Sequence, residues 1–62
     1  MSWNEKLAVF CTGLTCRSIG RRAGLSHKTV LGLLCGKGTM DSLIRVMEDG
    51  LHRDVAQVFV GY

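Results

Sequence analysis

No run of apolar residues in this chain approaches the ~18–20 that a membrane-crossing helix needs, so nothing in it reads as a bilayer span. Cysteine is present without a pattern. Cys11, Cys16 and Cys35 are odd in number, no Cys-x-x-Cys pair occurs, and nothing before them reads as a secretory signal. A disulfide framework is not expected. Neither is a zinc site, because His27 and His52 lack ligand spacing. The three cysteines are expected to be small buried hydrophobes in a reducing cytosol. Paired carboxylates and a Ser/His/Asp arrangement are also missing. Catalysis would have to rest on a thiol beside His27 or His52, and the expected burial of the cysteines, in a chain too short for a substrate cleft, argues against an enzyme. No cofactor and no small-molecule ligand is called for. The 62 residues make one domain. So small a core is marginal unaided, and with disulfides and metals set aside the remaining support is a partner chain.

Acidic residues are absent from one stretch. Residues 15–38 carry Arg17, Arg21, Arg22, Lys28 and Lys37 and no Asp or Glu. Residues 1–14 hold only Glu5 and Lys6, while residues 39–62 set Arg45 and Arg53 against Asp41, Glu48, Asp49 and Asp54. The overall charge of +3 therefore comes entirely from the central segment. A solvated face normally mixes signs; a segregated basic segment is the footprint of a phosphate-binding surface.

That segment encloses CRSIGRRAGLSHKTVLGLLC, residues 16–35, which reads as two short helices and a tight turn. Thr15 is a suitable cap for the first, about residues 16–23, and Gly24 can end it at a positive backbone angle. Ser26 can cap the second, about residues 27–35. Ile19, Ala23, Leu25, Val30 and Leu33 converge into one wedge at helical spacing, with Leu34 also inward. Gly20 is small enough for close crossing, at a cost of roughly 0.5–1 kcal/mol in helix propensity relative to alanine. The pattern is that of a helix-turn-helix, whose second helix can enter the DNA major groove.

Gly20, Gly24, Leu25, Val30 and Leu33, followed by Gly36-Lys37 and a further apolar helix, resemble the lambda-repressor-like family. That family includes phage Cro and repressor proteins and regulators of the xenobiotic-response-element type. The resemblance covers about residues 15–51; it departs at Gly20, where the family more often has alanine. It implies an all-α bundle of four to five short helices. It also implies a homodimeric regulator of transcription in the bacterial cytosol, bound to double-stranded DNA. By the same resemblance the start of the second helix abuts the DNA backbone, making Thr15, Cys16 and Arg17 candidate phosphate contacts. His27, Lys28, Leu31 and Gly32 match base-facing positions. Lys28 can donate to guanine O6 and N7, His27 can donate or accept according to tautomer, and Leu31 can touch a thymine methyl. Gly32 would let the helix sit close. Ser26 and Thr29 offer hydroxyls to phosphate. Arg21 shares a face with Arg17 and either reaches a phosphate or is solvated, whereas Arg22 faces solvent. Lys37, between Gly36 and Gly38, grips the backbone; the loop does not fit a nucleotide-binding phosphate loop.

The flanks complete the reading. Ser2 and Glu5 form a capping box for a first helix running to about residue 12, ended by Gly13. Trp3, Leu7, Phe10 and Cys11 face the core, although Trp3 could instead be an exposed interaction residue. A fourth helix, about residues 40–49, is capped by Thr39 or Asp41 and ended by Gly50. Its apolar stripe is Leu43, Ile44, Met47 and Leu51, with Val46 beside it. Residues 1–51 are the DNA-binding part and residues 52–62 a dimerisation segment of the same domain. Val55, Val58, Phe59, Val60 and Tyr62 are expected at the dimer interface, the alternative being that the tail packs on its own core. The tail is a helix or a dimerising strand; Asp54 as a cap and the helical spacing favour the helix. A different class remains open: an antitoxin-like or adaptor module that uses the same helices to cover another protein.

Overall fold

The computed structural model describes residues 2–59. The described residues are mostly helical, with no strand among them. Four helices follow one another: α1 Trp3–Phe10, α2 Cys16–Ala23, α3 His27–Leu34 and α4 Met40–Arg45. A wide turn, Val46–Gly50, continues α4, and a short 3₁₀ turn, Val55–Val58, ends the described chain.

Local chemistry fixes most helix starts. Thr15, Ser26 and Thr39 each sit in extended backbone, and each hydroxyl oxygen accepts from the amide three residues on, Ser18, Thr29 and Ser42 respectively. At α1 the Ser2 amide donates to Glu5 Oε2 at 3.3 Å, while the Ser2 hydroxyl donates to Asn4 Oδ1 at 2.6 Å. This helix stops at Phe10, short of residue 12. The Cys11 amide already splits between the carbonyls of Leu7 and Ala8, which tightens the last turn.

The core is built from every element. Leu7, Cys11, Ile19, Ala23, Val30, Leu33, Leu43, Val46, Met47 and Val58 are buried, with no charged or polar side chain among them. Trp3, Phe10, Leu25 and Leu34 pack half-buried against this cluster. The wedge expected of the α2–α3 pair is therefore present, Leu25 being its partly exposed rim.

The segment after Arg45 departs from expectation. Gly50 does not end the helix by a positive angle. The left-handed residue is His52, at φ 55°. The chain unwinds over residues 46–50, with the Leu51 amide reaching back to Val46 and the Arg53 amide to Met47, both at 2.8 Å. The buried stripe is Leu43, Val46, Met47 and Gly50, at i, i+3, i+4 and i+7. Ile44 is only half-buried and Val46 takes the core position instead. Gly50 is buried against α2, where a Cβ would lie 3.1 Å from Ile19 Cγ2, a tight contact.

The tail is neither α-helix nor strand over its described part. Asp54 does cap, accepting from the Ala56 amide at 3.0 Å, but only one 3₁₀ turn follows. Val58 is fully buried in the core, so its expected place at a dimer interface is corrected: its side chain is enclosed by its own domain. Val55 is half-buried against the same core and Phe59 is exposed, while Val60 and Tyr62 lie outside the described residues. The Arg53 guanidinium stacks 4.9 Å over the Phe10 ring, a cation–π contact that straps the tail to α1.

Candidate nucleic-acid interface

The α2–α3 pair is held by its own backbone. Gly24 takes φ 72°, which lets the Leu25 amide turn back and donate to Gly20 O at 2.8 Å. Gly20 lies directly under the turn, and a Cβ on it would fall 2.5 Å from the Leu25 carbonyl oxygen. The corner is thus set by one glycine that bends the chain and one that makes room for it.

At its far end α3 closes in a Schellman motif. Gly36 is left-handed at φ 82°, the Lys37 amide donates to Gly32 O at 2.8 Å and the Gly36 amide to Leu33 O at 3.0 Å. Asn4 Nδ2 adds a donation to Leu34 O at 3.3 Å, tying α1 to the end of α3. Gly38 has a packing role, since a Cβ there would run into the Leu33 side chain. The two loop glycines thus shape the exit of α3, and the exposed side chain between them is Lys37.

With both ends fixed, α3 offers one outer face. His27, Lys28 and Leu31 are exposed, Leu31 at 52%. Gly32 is half-buried by its neighbours, yet nothing lies within 4 Å of where its Cβ would be, so the helix surface is open there. Thr15, Arg17, Arg21, Ser26 and Lys37 are exposed, as is Arg22. Cys16 is half-buried and packed against the core. Only its backbone suits a phosphate. Asp41, Glu48, Asp49 and Asp54 are exposed as well, but all lie on α4 and the segments after it.

The hydroxyls expected to bind phosphate are partly committed. Ser26 Oγ accepts from the Thr29 amide at 3.3 Å and lies 2.9 Å from Thr29 Oγ1. Two hydroxyl protons serve this pair, and one sits between the two oxygens. A single donor is left to point outward, and the exposed Ser26 is better placed for it than half-buried Thr29.

Cysteine burial is graded: Cys11 is buried, Cys16 half-buried and Cys35 exposed at the cap of α3, which corrects the expectation for Cys35. Burial, and secondarily the neighbouring Cys16, pushes the Cys11 thiol up to about 11, so at neutral pH it is protonated and a poor nucleophile. Among the described residues no group of three or more His, Cys, Asp or Glu gathers in a way that could hold a metal ion.

A second surface feature had no clear signal in the sequence. A cleft of about 190 Å³ is lined by Trp3, Gly38, Thr39, Met40, Leu43 and Phe59. Met40 is 55% exposed and Phe59 38%. Met40 follows the Thr39 cap directly and falls outside the Leu43–Val46–Met47–Gly50 stripe. That spacing is the only hint that it faces outward. The chain matches no family model, no curated protein and no solved structure.

Proposed function

We propose that this protein is a sequence-specific double-stranded-DNA-binding regulator of transcription with a lambda-repressor-like helix-turn-helix, working as a homodimeric repressor of phage or mobile-element type. The observation that carries the reading is the outer face of α3. His27, Lys28 and Leu31 stand exposed on a helix pinned at both ends, within a segment of five cations and no acid. A helix presented in this way fits the major groove, with its first turn at the base edges. Arg17 and Thr15 at the start of α2, Ser26 at the turn and Lys37 after α3 suit the flanking phosphates, with Arg21 as a further candidate. Gly32 leaves the helix surface low where base edges would approach.

A second copy completes the reading. Phe59, 38% exposed, and half-buried Val55 are the described tail side chains assigned to self-association once Val58 has gone to the core, and Phe59 lines a cleft with Trp3 and the exposed Met40. Two α3 helices related by a two-fold axis would meet half-sites about 34 Å apart, so the operator is an inverted repeat. Occupying it would occlude a promoter.

Selection of bound duplexes from random-sequence DNA tests this directly. The expected result is an enriched inverted repeat whose binding weakens steeply with salt. Retention that is weak and independent of sequence would refute it. The second reading, an antitoxin-like or adaptor module that covers another protein, is favoured by the Trp3–Met40–Phe59 cleft and would give that weak retention.

A further inference from the structure

We infer that Leu31 reads the C5-methyl group of a pyrimidine in the major groove, so that binding depends on a methyl carried alike by thymine and 5-methylcytosine. This rests on the DNA-binding reading above and specifies what the outer face of α3 selects.

The starting point is a misplaced leucine. Leu31 is 52% exposed in the middle of a face whose other projecting side chains, His27 and Lys28, are polar. Val9 and Met40 are comparably exposed, but they stand on α1 and α4, outside residues 15–38. Among the described residues, Leu31 is the exposed large hydrophobic that lies within the basic stretch 15–38; Leu14 directly precedes that stretch. Beside it, Gly32 leaves open space where a side chain would otherwise hold a partner away.

The occupant follows from the chemistry of base edges. Among the major-groove features that distinguish base pairs, the C5-methyl group is the one apolar substituent beside hydrogen-bond donors and acceptors. An isobutyl side chain has no other match there. Lys28 lies one turn before Leu31 on the same face, with residues so spaced ~5–6 Å apart at Cβ. Base pairs are stacked about 3.4 Å apart, so the two side chains address positions one or two pairs apart. Lys28 suits the paired acceptors of guanine, and Leu31 a methylated pyrimidine close by. Leu31 meets the methyl and not the group at C4, so it does not separate thymine from 5-methylcytosine. Cytosine methylation at that position would create the contact.

The test uses the whole chain and a duplex obtained by selection from random-sequence DNA. Each thymine is replaced in turn by deoxyuridine, which removes the methyl alone. At one position per half-site the parent is expected to lose about three- to tenfold in affinity, the scale of one buried methyl group. Leu31→Ala, with unchanged helical circular dichroism, is expected to bind more weakly and to ignore that replacement. Cytosine placed there should bind the parent poorly and recover on C5 methylation. If specific binding is present but no deoxyuridine replacement matters, or if Leu31→Ala stays as sensitive as the parent, the methyl contact is refuted while the regulator reading stands. If no sequence is enriched, both fall.

Discussion

Replacing Gly20 with alanine sets two well-measured effects against each other. Helix propensity alone favours alanine in the middle of α2 by roughly 0.5–1 kcal/mol. The packing opposes it. The new Cβ would sit 2.5 Å from Leu25 O and 3.4 Å from the carbonyl carbons of Leu25 and Ser26. These are backbone atoms, and they cannot swing aside as a side-chain tip would. Nor can the turn simply retreat, because the Leu25 amide is bonded to Gly20 O at 2.8 Å and the Gly24 corner holds it there. Overpacking a tight contact costs typically ~1–3 kcal/mol, which exceeds the propensity gain. The expected net effect of Gly20→Ala is a loss of about 0.5–2 kcal/mol, measured by urea unfolding followed by circular dichroism. In a domain of this size each kcal/mol lowers the melting temperature by roughly 4–8 °C. Gly24→Ala is the control. Nothing lies within 4 Å of its Cβ, so any loss there comes from the φ of 72° alone. An alanine variant at position 20 more stable than the parent would refute the close crossing on which the placement of α3 depends.

Lys28→Ala should cost roughly 1–3 kcal/mol of binding and relax preference at one base position, read from competition between selected duplexes; unchanged affinity and preference would move the reader elsewhere. Phe59→Asp is expected to give a monomer by sedimentation velocity, with circular dichroism checking that the helices persist; an unshifted dimer would relocate the interface. The Cys11 thiol, raised from 9.0 to about 11 chiefly by burial, keeps its proton longer in the folded chain than in the unfolded one. Its contribution to stability is therefore fully present below about pH 9 and is lost as the pH climbs toward 11, on the order of 1–3 kcal/mol. Urea midpoints across that window should fall less steeply in Cys11→Ala than in the parent, and parallel curves would refute the assignment.

What the sequence made legible was whatever chemistry acts within a few residues. Thr15, Ser26, Thr39 and Asp54 cap because their side chains reach amides two or three positions away, and that reach is written in the order of residues alone. Gly24 was legible for the same reason. Gly50 was not, because glycine serves two ends that look identical in a sequence: a positive backbone angle and the absence of a Cβ. At position 50 the second applies. Ile19 of α2 lies close against it, and the chain turns two residues later at His52. Val46, not Ile44, holds the core position because the buried residues recur as Leu43, Val46, Met47 and Gly50.

The candidate interface divides along the same line. Its charge segregation and the outward positions of His27, Lys28 and Leu31 follow from composition and period. Three features do not, because each needs contact between distant segments or competition between neighbours. Asn4 supports the end of α3 from thirty residues away. Val58 leaves the interface for the core because α1 and the tail lie against each other, with Arg53 over Phe10 as their strap. Ser26 and Thr29 share a proton that a reading by residue type counts twice. The consequence for function is directional. Groups that the fold has already satisfied, Thr29 and Val58, lose weight as binding residues. Those it leaves exposed on the outer face of α3, His27, Lys28 and Leu31, keep it. On the proposed DNA-binding face, an apolar side chain calls for a partner atom that is also apolar, and the deoxyuridine series tests that atom directly.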